Sequence, residues 1–280
     1  MNGIQYGRVW AKVQRGKRKL LKPRAKSRPV FKPITLRENP KVSVVIPAMN
    51  ERKTIAAVIR EARMVHPSTE VVVVVNGSRD GTGHIARRMG ARVVTFKKPL
   101  GHDVGRAIGA MHAKGNILLF TDADIVISAR DLKPFIRAIE RGVDVALNSY
   151  TGHVHTDRVH PVVLAKHALN LALARPDLRG SSMTTIPHAI SRKALERIEA
   201  QNLSVPPLAQ TIAIRKGLDL KKVHEVDVGR VNPRKRRGFK VDPLRNLIVG
   251  DHLEAIEWLL NETNERGQQT DLSRDRSFVG

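Results

Sequence analysis

The sequence predicts an α/β fold: a mostly parallel sheet with helices on both faces, preceded by a basic arm. Three observations carry this expectation. Short apolar runs at residues 42–46, 70–75 and 117–120 are continuous rather than alternating, as in strands buried on both faces. Stretches with helical apolar spacing separate them, which is the βαβ order of a parallel sheet. The 280 residues are 41% hydrophobic but only 4% aromatic, so the core must be built from Val, Ile, Leu and Ala. No apolar run approaches the ~18 residues of a membrane span. There is no cysteine, which excludes disulfides and thiolate metal sites and fits a reducing cytoplasm. The basic start lacks the apolar stretch of a signal peptide. A cytoplasmic location is therefore expected, with a peripheral place at the inner face of a membrane as the variant that a basic arm allows.

Residues 1–40 are rich in Lys and Arg and contain Pro23, Pro29, Pro33 and Pro40, so an extended or disordered arm is expected there. Residues 1–41 hold thirteen Lys or Arg against the single acid Glu38, a local charge of +12 and half of the chain's +24. Such a surface attracts RNA, anionic membrane or phosphorylated ligands. The first strand, 42–46, ends at Pro47, and a helix follows over 54–64. The second strand, 70–75, ends in a turn, Asn76 to Thr82, that opens a helix through Met89. A third strand covers 92–96. A glycine-rich stretch, with Gly101, Gly105 and Gly109, leads into a helix reaching Ala113. After the strand at 117–120 come a helix over 131–140, with Asp131 as its N-cap, and a strand over 143–147. The pattern then loosens: helix 159–174, strand 181–186, helix 191–200 capped by Ser191, helix 208–216 ended by Gly217, strand 221–228. A last helix over 243–264 has Leu244, Leu247, Ile248, Leu253, Ile256, Trp258, Leu259 and Leu260 as its anchors. Residues 267–280 form a polar tail.

The stretch ILLFTDADI at 117–125 organises the rest. Its apolar half reads as a central strand whose C-terminal end delivers Asp122 and Asp124 into a crevice, where open α/β sheets bind ligands. In strand geometry residues i and i+2 point the same way. Two adjacent carboxylates repel, and a divalent cation relieves this; oxygen ligands suit Mg²⁺ or Mn²⁺, ions that also hold substrate phosphates. The bland alternative is a turn cap and a solvated acid. His153, His155 and His160 cluster in one loop, and a polar loop explains them as well as a metal ligand or a base does. His188 and His224 read as structural histidines. Arg106 and Arg179 are candidate phosphate clamps. A second basic cluster runs from Arg230 to Lys240 and includes Arg234, Lys235, Arg236 and Arg237.

Four motifs in order, VVIPAMNE at 44–51, VVVNGSRDGT at 73–82, LGHDVGRAIG at 100–109 and FTDAD at 120–124, resemble the nucleotide-sugar half of glycosyltransferase family 2, on the Rossmann-like GT-A fold. The resemblance implies a metal-dependent transferase using a nucleoside diphosphate sugar, a UDP-sugar by default. It implies that Pro47, Ala48 and Glu51 line the nucleotide pocket and that Asn76 and Asp80 lie by base and ribose. Gly101 and His102 would lie near the donor, Asp122 at the ribose or a metal-bound water, and Asp124 at the metal on the diphosphate. It divides the chain into the arm at 1–40, a nucleotide-sugar half at 41–148, an acceptor-side half at 149–266 and the tail at 267–280.

The chain departs from the family pattern in three places. Val75 stands where many relatives have an acid, which leaves the base open. Residues 205–211, VPPLAQT, carry no acid where inverting members place their catalytic base; His153, His155 and His188 are the remaining candidates. Membrane helices, common in polymer-building members, are absent. KVHEVDVGRV at 222–231 is similar to a segment of glucosyl-3-phosphoglycerate synthases, retaining enzymes of the same fold with an anionic acceptor; Asn232 stands near the place of their metal-binding histidine. An anionic acceptor would give the basic cluster after Arg230 a role. A sugar-nucleotide-forming nucleotidyltransferase would need a glycine-rich, arginine-containing loop after the first strand, and 47–51 is not one. The alternative from another class is a non-catalytic binding protein docking on RNA or anionic membrane through its arm.

Overall fold

A computed structural model describes residues 39–154, 156–231 and 242–278. The arm up to residue 38, His155, Asn232 and the basic residues Arg234, Lys235, Arg236, Arg237 and Lys240 lie outside the described residues.

The centre is built from β-branched chain. β1 (Val42–Ala48) and β2 (Thr69–Asn76) pair in parallel, Val42 opposite Thr69 and Ala48 opposite Val75. β3 (Arg92–Phe96) extends the sheet beyond β2, and β4 (Ile117–Phe120) lies on the other side of β1. Among the described residues, β5 (Val145–Asn148), β6 (His188–Ser191) and β7 (Leu220–His224) complete a seven-stranded sheet in the order β3-β2-β1-β4-β6-β5-β7. Only β6 runs antiparallel to its neighbours, Phe120 facing His188 and Val145 facing Ile190. The one sheet therefore runs through both the 41–148 and the 149–266 segments.

Both faces are covered, as continuous apolar strands require. Val44, Ile46, Val73 and Leu119 pack on one face beneath α1 (Ile55–Arg63), α2 (Thr82–Arg88) and α4 (Ala129–Glu140). Val45, Leu118, Phe120 and Leu147 pack on the other beneath α3 (Val104–His112), α6 (Arg192–Ile198) and α7 (Pro206–Arg215). A smaller core joins α5 (Pro161–Ala172) to α9 (Arg245–Asn261) through Leu169, Leu173, Ala255 and Leu259. The short α8 spans Val228–Val231. α3 lies against β1 with no room for side chains between them: a Cβ on Gly109 would come 2.3 Å from Val45 Cγ1, and one on Gly105 2.9 Å from Pro47 Cβ.

Several sequence expectations are corrected. α4 is capped by Ser128, not Asp131; Ser128 Oγ accepts from the Asp131 amide at 3.2 Å and donates to its carboxylate at 2.7 Å, so the helix starts about one turn earlier than expected. Residues 181–186 form a buried turn rather than a strand, and the strand comes after the cis Ile186–Pro187 bond, as β6. β7 ends at His224, and Val228 begins α8. On α9, Leu247, Leu253 and Leu260 are exposed, while His252 and Ala255 are buried in their place. β4 stops at Phe120, so Asp122 and Asp124 stand in the turn beyond it. The alternation survives the turn: Ala123 and Ile125 are buried, while both aspartates stay partly exposed.

Candidate active site

The loops leaving β1, β2 and β4 meet at the carboxyl edge of the sheet. The first two are stitched together by short side chains. The amide of Asn50 donates to Ser78 Oγ at 3.0 Å, the Arg79 amide to Asn50 Oδ1 at 2.9 Å, and the Arg52 amide to Asp80 Oδ2 at 2.9 Å. The other oxygen of Asp80 accepts from the amide and the hydroxyl of Thr82, whose hydroxyl in turn accepts from the Glu51 amide. Slight burial raises the Asp80 pKa, but these hydrogen bonds outweigh it and hold the carboxyl below its ordinary range. Asp80 thus fastens two loops. Glu51, partly exposed, accepts from the Thr54 hydroxyl at 3.0 Å. Pro47 is partly buried and Ala48 buried at the end of β1.

Asn76, at the end of β2, has both ends of its amide engaged. Its Oδ1 accepts from the Leu100 amide at 2.6 Å and its Nδ2 donates to the Gly101 carbonyl at 3.1 Å. It holds the loop that carries Gly101 and His102. Gly101 has φ +98° with open space around it, so its backbone rather than its surroundings calls for glycine. His102 Nε2 lies 3.3 Å from Asp103 Oδ2.

Arg106 is the hub. It points from α3 into the crevice and is almost fully buried. One guanidinium nitrogen lies 3.0 Å from Asp103 Oδ1 and donates to the Met183 carbonyl at 3.4 Å; the other reaches Asp122 Oδ1 at 3.3 Å. Burial works against its charge, but Asp103 and Asp122 outweigh that and hold Arg106 firmly cationic. Its planar fork fixes Asp122 in place, and the partly exposed Asp124 lies two residues on. Among the described residues no group of three or more His, Asp or Glu could hold a metal. Two partly exposed carboxylates on one side of a turn nevertheless suit an ion such as Mg²⁺, which takes one or two carboxylates and completes its shell with phosphate and water.

Other expected candidates lie elsewhere. His188 is buried in β6, stacked on Phe120 with ring centroids 4.9 Å apart, and Nδ1 is 3.2 Å from the Thr185 carbonyl. Burial, then the field of Arg106, pushes its pKa down to about 3, so it is a neutral core residue. His153 is exposed and edge-on to Tyr150. His160 caps α5, accepting from the Val162 amide. His224 lies 3.2 Å from Asp131 Oδ1. Arg179 is exposed; its amide donates to the Pro176 carbonyl at 3.1 Å and its carbonyl accepts from Asn170 Nδ2 at 2.7 Å. Residues 205–211 open α7 with buried Pro206 and Pro207.

Lys166 was not singled out by the sequence, although a lone lysine in the apolar stretch 162–174 is a visible signal. It leaves α5 to donate to Thr185 Oγ1 at 2.6 Å. Burial, then Arg106, lowers its pKa to about 8. Asp251 on α9 is the other unforeseen group; burial, then the Asp103 charge, raises it to about 6. The turn at 181–185 is locked from behind: Gln210 Oε1 accepts from the Met183 amide and its Nε2 donates to Asn170 Oδ1, while Asn170 Nδ2 donates to the Ser181 carbonyl.

A family model described as glycosyl transferase family 2 matches residues 43–199. A dolichyl-phosphate hexose transferase of Haloferax volcanii is 30% identical over 163 residues, covering 56% of this chain and 69% of that one. A polyprenol monophosphomannose synthase of Mycolicibacterium smegmatis is 27% identical over 180 residues, covering 60% and 68%. The crystal structure of glucosyl-3-phosphoglycerate synthase from Mycobacterium tuberculosis, in complex with Mn²⁺, UDP-glucose and phosphoglyceric acid, shares the fold. Its TM-score is 0.55 at 21% identity, covering 83% of this chain and 81% of that one.

Proposed function

We propose, for a chain that belongs to glycosyl transferase family 2 and is thereby a glycosyltransferase, that it moves a sugar from a nucleoside diphosphate donor to an anionic acceptor, with Mg²⁺ or Mn²⁺ held at Asp122 and Asp124. The observation that carries the metal assignment is the buried Arg106 clamp on Asp122, which fixes one carboxylate beside a second at the edge where α/β sheets bind ligands. A bound cation would neutralise charge growing on the leaving diphosphate. The chain's own residues do the rest. Pro47, Ala48 and Glu51 form the floor for the nucleotide. Asn76 and Asp80 serve it indirectly, by holding the loops of Gly101 and of residues 50–52. Uracil is the default base.

An anionic acceptor is supported by Lys166, a cation on the same turn that Arg106 holds, by a relative named for a lipid phosphate and by a fold neighbour crystallised with phosphoglyceric acid. Family membership favours this enzyme over a non-catalytic binding module. No helix among the described residues is long and apolar enough to cross a membrane.

The test is a panel of nucleotide sugars with Mn²⁺, following binding by calorimetry and release of nucleoside diphosphate, on the wild type and Asp124→Ala. Metal-dependent binding of one donor, lost in Asp124→Ala, is the expected result. Binding that is indifferent to both metal and Asp124 would overturn the assignment of the metal site.

A further inference from the structure

α5 is apolar on the side that faces solvent as well as on the side that faces the core. Val162 and Leu169 are buried, while Pro161, Leu164, Ala168 and Leu171 are exposed, Leu164 at 54% and Leu171 at 60%. A helix that is apolar all round is ordinarily a buried one. α9 lies beside it and carries a matching line of Val249, Leu253, Ile256 and Leu260, with Leu253 62% exposed. The alternating steps of three and four residues on both helices are those of a heptad seam. Each seam is about 15 Å long at ~1.5 Å per residue. Between the helices lies an apolar groove of about 310 Å³. Single exposed leucines need no explanation, but two aligned rows of them mark a surface that another surface covers.

The two helices run the same way. At their starts His160 Nε2 lies 4.0 Å from Asp242 Oδ2, and beyond the end of α9 Gln269 donates to the Ala172 carbonyl at the end of α5. Their charges differ in sign. Residues 158–176 hold Arg158, Lys166 and Arg175 without an acid, and residues 251–265 hold Asp251, Glu254, Glu257, Glu262 and Glu265 without a Lys or Arg. Such an acidic stretch is unusual in a chain of net charge +24, and with Glu254 and Glu257 exposed it repels RNA and anionic bilayers. A surface that fits this face has two apolar seams of its own, one acid-free and one acidic. This chain has that surface.

We infer that the α5–α9 face is the interface of a symmetric dimer of this chain, α5 of each copy packing on α9 of the other. The charges choose the symmetry axis. A two-fold axis across the helices lays α9 on α9 and brings the acids of the two copies together, which costs free energy. An axis running along the helices lays each acid-free helix on an acidic one. The result is a bundle of four helices closed by an isologous contact. The inference stands independently of the glycosyltransferase reading above.

The test is sedimentation velocity of the full chain at micromolar concentrations in 0.15 M salt, which screens charges more than ~8 Å apart. A dimer is expected. Leu164→Ser/Leu253→Ser, at two exposed positions, should weaken it roughly a hundredfold or more and leave the circular dichroism spectrum unchanged. Ala168→Glu sets an acid opposite the acids of α9, and Glu257→Lys sets a cation opposite α5; each should weaken the dimer about tenfold. The double variant Ala168→Glu/Glu257→Lys exchanges the signs of the two seams and should dimerise again. A chain that stays monomeric overturns the inference, and so does a dimer that survives Leu164→Ser/Leu253→Ser. A dimer that Glu257→Lys strengthens, or that the double variant fails to re-form, overturns the pairing of α5 with α9. A monomer captured by anionic phospholipid vesicles, with capture lost in Leu164→Ser/Leu253→Ser, makes the occupant a bilayer and overturns it equally. None of these outcomes touches the donor site, which the Asp124→Ala panel judges.

Discussion

Arg106 shows how one side chain decides a site. It is buried between Asp103 and Asp122, and each carboxylate depends on it for compensation. Removing one member of a buried ion pair strands the other, at a cost of about 3–5 kcal/mol. Arg106→Met should lower the urea midpoint by that order and abolish turnover. Asp124→Ala, at a partly exposed position, should leave the midpoint close to wild type while reducing turnover at least a hundredfold. A large midpoint shift in Asp124→Ala would place that residue in the fold rather than the chemistry. The two aspartates stood out in the sequence only in company: Asp-x-Asp after a short apolar run is common and reads as well as a turn cap and a solvated acid, and the motifs before it are what single it out. Asn76 and Asp80 were legible as important and illegible as to purpose. A polar residue at a strand end shows its position, but not which backbone crosses in front of it, and here that backbone takes the whole side chain. His188 was read from its type as structural and was also kept as a candidate base; its burial and stacking on Phe120 give a physical reason for the structural reading.

Elements that repeat a simple pattern were read to within a residue or two. The five consecutive valines of β2 and the apolar run of β4 admit one interpretation once helices flank them. β6 was missed because four residues, one of them a buried histidine, show no period, while Ser181 to Ile186 has a strand-like composition in a turn fixed by Asn170 and Gln210. The cap of α4 was misplaced because Ser128 and Asp131 are both good caps, and only their mutual hydrogen bonds show which comes first. Ser128→Ala should cost about 1 kcal/mol, read as a shift in the denaturant midpoint, against a few tenths for Ser128→Gly. α3 has less tolerance. Gly109→Ala drives a methyl into Val45, so α3 must lift from β1 and carry Arg106 with it. About 1–3 kcal/mol of stability should be lost, together with most of the activity. An active, fully stable Gly109→Ala protein would show that the contact is softer than its geometry implies.

Two buried histidines, His188 and His252, make the fold sensitive to acid. His188 and His252 have folded pKa values of about 3 and about 4, below the 6.5 of the unfolded chain. The unfolded state therefore takes up protons first. The stability that these groups contribute is complete above pH 6.5 and is lost as the pH falls towards 4 and 3. Asp251 acts in the opposite sense: raised to about 6, it favours the folded state below its unfolded value of 3.8 and loses that contribution as the pH rises through about 6. The melting temperature should fall between pH 6.5 and 4, and His252→Leu should flatten that fall; an unchanged slope would locate the acid sensitivity elsewhere. A net charge of +24 also repels itself, so added salt should raise the melting temperature.

Asn148 has a consequence at this scale. Its buried amide donates to the carbonyls of Ile186 and Val226 and accepts from the amides of Tyr150 and Val226. A single side chain thus ties off residues 149–187 like the neck of a bag, at the point where they leave the sheet and where they return. Closing a tied loop costs little more when the loop grows, about 0.6 kcal/mol for each doubling of length. The excursion that carries α5 and Lys166 is therefore a part that lineages could lengthen, trim or exchange while the sheet beneath keeps its register. One asparagine would let the fold change its clientele without being rebuilt.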